Sequence, residues 1–385
     1  MFIRDISQEL LQQLKEYPIV TLLGPRQAGK TTLARTLLKD YAYVSLETPD
    51  ILQFAREDPR GFLSYHPERV VFDEIQRAPH LISYLQGMVD ESGITGQFVL
   101  TGSHQLELGA AIAQSLAGRT GILKLLPLSL SELKAASRTF VTFEEYIFTG
   151  FLPRIHDQGQ RPSTAYANYY QTYIERDIRQ IIQLKNASVF DKFIRLFAGR
   201  AGQLMNHQSL AADVGVDAKT IKEWISILEA SFVVLKLSPY FENFGKRVIK
   251  SPKYYFTDTG LLSYLLGIEK PMQVTRDPLV GQLFENLVVL EAFKTQYNCG
   301  RIPNLYFFRD SHGNEIDLLY AVGRNLVGVE IKSAATFTSH FKNSLLRFSK
   351  RYSQLQSSYV VYNGEARQFS DGIAAINYMD TSSIF

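Results

Sequence analysis

The sequence predicts an α/β protein of more than one domain. A length of 385 residues exceeds what one ordinary hydrophobic core serves, so two or three domains are expected. An apolar, strand-like segment at Ile19–Leu23 passes through a glycine-bearing loop into a helix-like stretch from Thr32 to Leu38, the strand–loop–helix unit of a parallel sheet. From Gly281 onward a helix-like segment precedes short strands in which acidic residues alternate with apolar ones.

Hydrophobic residues at 45% and charged residues at 21% are ordinary globular values, and no apolar run approaches the roughly 20 residues that cross a bilayer. A soluble protein without a membrane partner is expected. Met1–Lys15 carries Arg4, Asp5, Glu9 and Lys15 among its apolar residues, which is not the layout of a secretory signal. The single cysteine, Cys299, excludes a disulfide framework or a cysteine metal site within one chain and fits a reducing cytoplasm. The seven histidines lack metal-ligand spacing, which leaves carboxylates and a hard metal. A net charge of +3 permits local nucleic-acid contacts without pointing to them.

Gly24, Pro25, Arg26, Gln27, Ala28, Gly29, Lys30 and Thr31, followed by Thr32, match G-x-x-x-x-G-K-[ST] between a strand and a helix. The glycines let backbone N–H groups approach phosphate, Lys30 reaches the β and γ phosphates of ATP, and Thr31 ligates Mg²⁺. Val70–Phe72 then forms an apolar strand ending in Asp73 and Glu74, the order of a Walker B segment. Asp73 is expected to hold Mg²⁺ through a water, and Glu74 to orient or deprotonate the attacking water. Alone, that Asp-Glu pair reads more often as a solvated turn. A third strand, Gln97–Leu100, ends in Thr101, Gly102, Ser103 and His104 at the edge where a parallel sheet binds ligands. Ser103 is a candidate γ-phosphate sensor, with a helix N-cap as the equally weighted alternative.

At these positions the chain resembles, over nearly its whole length, the AAA+-like prokaryotic ATPases that carry a carboxy-terminal domain of unknown function, DUF4143. The resemblance rests on Gly24-Pro25-Arg26-Gln27 leading into Gly29–Leu33, Asp73-Glu74-Ile75-Gln76, Leu100–Ser103 and Leu116-Ala117-Gly118-Arg119. It implies that Arg119 completes a neighbouring subunit's site in a homo-oligomer, against the alternative of an intramolecular salt bridge. Gly150-Phe151-Leu152-Pro153 is similar to the Gly-x-x-Pro turn that follows the ATPase core in these proteins, which implies that Pro153 covers the nucleotide base.

After a tyrosine-rich helical stretch, Ala165–Leu184, a short helix with a glycine turn at Ser209–Val216 and a second helix at Ala218–Leu228 give a helix-turn-helix pattern. Leu210, Val214, Ile221, Ile225 and Leu228 take core spacing, and Trp224 is expected in the core. Strands at Val233–Leu237 and Lys253–Phe256, around a loop with Lys246, Arg247 and Lys250, complete a winged helix. Entry into a major groove and service as a lever or oligomer contact are weighed evenly.

In the last third, amphipathic helix is expected at Phe284–Glu291 and strands at Leu305–Arg309, Glu315–Tyr320 and around Glu330–Lys332. Side chains at i and i+2 share a strand face, so Glu330 and Lys332 project together and Asp317 on a neighbouring strand completes a carboxylate pair around Mg²⁺. The pattern is similar to the PD-(D/E)xK nuclease core, and the resemblance carries over Glu285, Asp317, Glu330 and Lys332, with Lys332 positioning water and Mg²⁺ or Mn²⁺ as the metal. An E-x-K tripeptide alone arises often on alternating strands. Glu315-Ile316 stands where the motif has proline, and Glu315 is a further ligand, a substitute for Glu285, or a solvated carboxylate.

The expected architecture is therefore an AAA+-like P-loop ATPase domain over 1–160, a helical linker and winged helix over 161–270, and a PD-(D/E)xK-like α/β domain over 271–385. The expected function is Mg²⁺-dependent ATP hydrolysis coupled to binding or cleavage of nucleic acid, DNA favoured. A DNA-binding or signalling switch with an inactive nuclease-like domain is the alternative. Remodelling of protein partners is a third reading, but the aromatic pore loop it calls for is not evident.

Overall fold

The computed structural model describes residues 2–103, 115–182, 187–240 and 251–385, apart from the side chain of Gln180. They group into two compact units, one of Met1–Leu128 with Ala230–Val233 and Tyr297–Arg301, the other of Ser129–Glu229, Val234–Gln296 and Ile302–Phe385. Among the described residues, no helix is long and apolar enough to cross a membrane.

The first unit holds a five-stranded parallel sheet of β1 (Ile19–Leu23), β2 (Ala42–Ser45), β3 (Val70–Asp73), β4 (Phe98–Gly102) and β5 (Thr120–Lys124), in the order β2-β3-β4-β1-β5. Every residue of β1 and β4 is buried, as a parallel sheet covered on both faces requires. Helices α1 (Ser7–Glu16) and α2 (Lys30–Leu37) contribute Leu10, Leu14, Leu33 and Ala34 to a core with Val20, Leu22 and Val99. Because β1 lies between β4 and β5, the chain leaves β1 in one direction and returns past it to reach β5. That reversal opens a crevice at the carboxyl ends of the strands, where the 24–31 loop sits. Gly24 ends β1 so close to the next strand's exit that a Cβ would stand 2.0 Å from the Leu125 carbonyl oxygen. No other residue fits there.

The second unit is built on an eight-stranded sheet of β6 (Val234–Pro239), β7 (Lys253–Phe256), β8 (Leu305–Arg309), β9 (Glu315–Val322), β10 (Asn325–Lys332), β11 (Leu355–Tyr362), β12 (Arg367–Gln368) and β13 (Ile373–Asn377). Its order is β12-β13-β11-β10-β9-β8-β6-β7. Strands β8, β9 and β10 form an antiparallel meander, whereas β11 pairs parallel to β10 and β13 parallel to β11. Helices α3 (Ala187–Ala198), α4 (His207–Val214) and α5 (Ala218–Ala230) precede β6. The Trp224 ring packs 5.0 Å from that of Phe193, in the core as expected. Lys246, Arg247 and Lys250, expected on the loop between β6 and β7, lie outside the described residues, as does His104.

Three features differ from the sequence reading. The helix α7, numbered after α6 (Thr259–Leu265), spans Val280–Asn298 and is not amphipathic: Leu283, Phe284, Leu287, Val288, Val289, Leu290 and Phe293 are all buried, so apolar contacts surround it. The tyrosine-rich stretch begins as Pro162–Tyr169 and continues through Tyr170–Ile178 with wider π-helical winding; its end at 183 and 184 lies outside the described residues. Residues 129–160, placed with the ATPase by sequence, pack within the second unit. There the Leu130 amide donates to the buried Glu291 carboxylate at 2.8 Å and the Phe143 ring meets that of Phe284 at 5.0 Å. The middle and last segments also share this unit, because the end of β6 continues the sheet beside β8 through Ser238 opposite Tyr306.

Asp258 ties two of these segments together. Its buried carboxylate accepts from the amides of Phe151 at 2.8 Å, Gly260 at 2.9 Å and Leu261 at 3.1 Å, capping α6 while holding the 150–153 turn. Removing it orphans three buried donors, so Asp258→Ala is expected to lower the stability of this unit by about 2–4 kcal/mol in urea unfolding. An unchanged midpoint would contradict the assignment.

Candidate functional site

The carboxyl edge of the first sheet brings together most of the residues singled out there. Lys30 and Thr31 open α2 just after Gly29, whose φ of 94° turns the loop into the helix. Lys30 Nζ donates back to the carbonyls of Gly24 at 2.8 Å and Pro25 at 2.9 Å. Burial pushes its ammonium down to about pKa 8, although the nearby Glu74 and Asp73 pull the other way. The Thr31 hydroxyl donates to Asp73 Oδ2 at 3.0 Å, so a P-loop hydroxyl and a strand-end carboxylate already share the position at which both would face a Mg²⁺. Arg26 and Gln27 lie on the loop, Gln27 with a positive φ of 64°, and Thr32 is exposed on the first turn of α2.

Glu74 follows Asp73 in the left-handed region at φ 60°, a conformation that costs a glutamate about 1 kcal/mol and that clusters at functional sites. The turn is fixed by its amide, which donates to Thr101 Oγ1 at 3.2 Å. Its carboxylate accepts from Ser103 Oγ at 3.2 Å and from the Gln76 amide, which also reaches Ser103 Oγ at 3.1 Å. Ser103 thus contacts the Walker B glutamate; the N-cap alternative depends on residues after 103, outside the described set.

Three residues of this edge were missed as site residues: Thr101, Tyr43 and Gln76. Thr101 and Tyr43 both donate to Asp73, holding its carboxylate from two sides. Burial and this hydrogen bond push the Tyr43 phenol up to about 12, so it stays a donor. Thr101 and Gln76 stood inside the motifs, but a lone tyrosine on a short strand carries no signal.

Arg119 stands apart. It precedes β5 at the opposite, amino-terminal edge of the sheet, where the Ile19 amide meets its carbonyl at 3.2 Å, about 16 Å of strand away from the P-loop. Its guanidinium holds both carboxylate oxygens of Asp90, at 2.5 and 2.9 Å, so the intramolecular salt bridge is formed. Pro153 opens the helix Pro153–Gln158 of the second unit, after the Gly150 turn held by Asp258.

In the second unit the E-x-K strand behaves as the pleat requires. Lys332 Nζ donates to Glu330 at 2.8 Å and to Asp317 on β9 at 3.1 Å, and the Ile331 amide donates to the same Asp317 oxygen at 2.8 Å. One ammonium serves two carboxylates. Burial, and then the Asp317 charge, push Glu330 up to about 8. Burial opposes the Lys332 charge, but Asp317 and Glu330 outweigh it and raise its pKa. Glu330 Oε1 is buried without a hydrogen-bond partner, an orphaned acceptor on a residue of the cluster.

Glu285 takes its hydrogen bonds from β7 rather than from Lys332. Its Oε1 accepts from Lys253 at 2.9 Å and from the Tyr255 hydroxyl at 2.6 Å, both from β7. Lys253 also holds Glu315 at 2.7 Å, and Arg309 holds the other oxygen of Glu315 at 2.9 Å. Burial raises the Glu285 pKa, and the same burial opposes the Lys253 charge, but Glu285 and Glu315 outweigh it and keep the lysine protonated. Among the described residues, no three His, Cys, Asp or Glu side chains are gathered to hold a metal ion. The expected set of Glu285, Asp317 and Glu330 is not gathered around one point among the described residues: Glu285 is held by Lys253 and Tyr255, although the Asp317 charge is close enough to help burial raise the Glu285 pKa. Asp317 and Glu330, with the orphaned Oε1, remain a donor set that fits a hard cation. Lys253 and Tyr255 were missed because their partners lie far along the chain.

Comparison with known proteins finds three family matches along the chain. Residues 16–134 match the family described as AAA domain, 141–272 a domain of unknown function (DUF8612), and 280–380 the domain of unknown function DUF4143. Proteins described as uncharacterized, Rv2008c of Mycobacterium tuberculosis and Mb2031c of Mycobacterium bovis, are each 31% identical over 381 residues, covering 97% of this chain and 83% of theirs. Among solved structures, the Walker-type ATPase PABY2304 of Pyrococcus abyssi aligns with a TM-score of 0.45 at 15% identity, over 69% of this chain and 96% of that one. AMPPCP-bound DnaA of Aquifex aeolicus aligns with a TM-score of 0.30 at 13% identity, over 58% and 86%. With an AAA-type P-loop domain at one end and DUF4143 at the other, the chain belongs, with its mycobacterial relatives, to the AAA+-like ATPase family that carries a carboxy-terminal DUF4143 domain.

Proposed function

We propose that the protein hydrolyses ATP with Mg²⁺ at the carboxyl edge of the first sheet and couples that cycle to binding and cleavage of nucleic acid, DNA in preference to RNA. The observation that carries the first half is the approach of Thr31 to Asp73 beside Lys30, with Glu74 turned and held next to them. Thr31 and Asp73 would hold Mg²⁺, which when bound neutralises charge on the phosphate oxygens. Lys30 exchanges the carbonyls of Gly24 and Pro25 for phosphate, a stronger partner for an ammionium stripped of water. Glu74 takes or orients the proton of the attacking water, and Gln76 and Ser103 keep its carboxylate from rotating away.

The second half rests on the orphaned Glu330 oxygen beside Asp317 and Lys332. Asp317 and Glu330 would hold a divalent cation, Mg²⁺ or Mn²⁺, whose Lewis acidity suits phosphodiester hydrolysis. Lys332 then loses part of its carboxylate contact and is free to position water. The α7–β8–β9–β10–α8–β11 order, with α8 at Asn343–Ser349, supports the nuclease-like reading, and α3–α5 with the β6–β7 pair support a winged helix. A specific observation favours the alternative, a switch whose last segment recognises without cutting: Lys253 already neutralises Glu285 and Glu315.

Two measurements test the ATPase half. Glu74→Gln is expected to lower ATP turnover about 100-fold while leaving ATP binding intact, and DNA is expected to stimulate the wild-type rate. Equal turnover in the variant would remove Glu74 from the chemistry. Because Lys30 titrates near 8 in the free protein, ATP is expected to draw a proton onto it at about pH 8.5–9 but not at about pH 6.5. Calorimetry in buffers of different ionisation enthalpy reads that uptake; a pH-independent zero would place Lys30 away from the phosphates.

A further inference from the structure

A cleft of about 300 Å³ opens between the β8–β9 hairpin and the helix α8 with the turn after it. Aromatic rings form one side: Tyr352 stacks on Phe348 at 4.2 Å and meets the edge of Phe308 at 5.5 Å. The acidic residues of the lining are already satisfied. Asp310 accepts from its own hairpin and from Arg351 at 3.4 Å, and Glu315 is held by Arg309 and Lys253. Two further lining residues, Arg347 and Lys350, are exposed, and among the described residues neither has a carboxylate within ion-pair distance. The cleft therefore presents uncompensated positive charge beside flat apolar surface.

That pairing is the chemistry of a nucleotide chain, in which an anionic phosphate recurs next to an aromatic base. Position strengthens the assignment. Glu315 and Ile316, the two residues before Asp317 on β9, line the cleft, and Ser344, which also lines it, lies close to Glu330, so the cleft borders the Asp317–Glu330–Lys332 cluster. We propose that this cleft seats a single-stranded nucleic-acid segment, with phosphates on Arg347 and Lys350 and a base against Tyr352, and delivers the adjoining phosphodiester to the cluster. The proposal rests on the nucleic-acid reading above and names the surface that serves it.

The test uses the full chain, a fluorescein-labelled oligothymidylate and fluorescence anisotropy at low and moderate salt. Arg347→Glu with Lys350→Glu is expected to raise Kd at least about tenfold and to reduce the log–log salt slope by about 1.4, the equivalent of two phosphates. Tyr352→Ala is expected to weaken binding about tenfold, as loss of one stacked base does. Basal ATP turnover, unchanged in all variants, reports that they are folded. If wild type binds and the charge-reversed variant binds equally well, the cleft assignment is wrong while the nucleic-acid reading stands. If wild type binds no oligonucleotide, both fall. If polyglutamate competes as well as unlabelled oligothymidylate and Tyr352→Ala changes nothing, the surface serves an acidic protein instead.

Discussion

The carboxylate of Asp73 is the constraint around which the nucleotide edge is arranged. It ends a strand whose residues are all buried and is itself only 4% exposed, so an ionised form without partners would be costly. Thr31, Tyr43 and Thr101 each donate to it from a different element. The same Thr101 hydroxyl accepts from the Glu74 amide and so fixes the left-handed turn that swings Glu74 toward Ser103. Satisfying one buried charge thus orders the P-loop hydroxyl, the strand-end glutamate and the neighbouring strand together.

The second unit solves a comparable problem with lysines. Glu285, Glu315, Asp317 and Glu330 come from one helix and two strands, and Lys253 and Lys332 each pair with two of them. Lys253 reaches its carboxylates from β7, which pairs with β6 and continues the α3–α5 segment. The middle segment is thus joined to Glu285 and Glu315 through a buried ion pair that is expensive to leave half made.

Much of this was legible in the sequence, for identifiable reasons. The 24–31 loop and the 70–74 strand end announce themselves because phosphate and Mg²⁺ demand fixed residue types at fixed spacing. Strand alternation placed Glu330 and Lys332 on one face, and Lys332 indeed holds both Glu330 and Asp317. Partners brought together only by tertiary packing left no local trace. Tyr43 reaches Asp73 through the parallel pairing of β2 with β3, and Lys253 reaches Glu285 through the packing of β7 against α7. Periodicity misled at α7, whose polar positions Glu291 and Lys294 are buried and neutralise each other at 2.7 Å. The 129–160 segment had no composition shift to mark it; it follows the second unit because the Leu130 amide and the Phe143 ring find their partners on α7.

The most direct test of ATP-coupled nucleic-acid cleavage is a gel assay of labelled single-stranded DNA with wild-type protein, ATP and Mg²⁺ or Mn²⁺, beside Glu330→Gln. The account predicts metal-dependent cleavage that requires ATP and disappears in the variant while its ATP turnover persists. Cleavage that survives Glu330→Gln would contradict the assigned cluster, and an absence of cleavage with either metal would leave an ATPase whose last segment recognises without cutting.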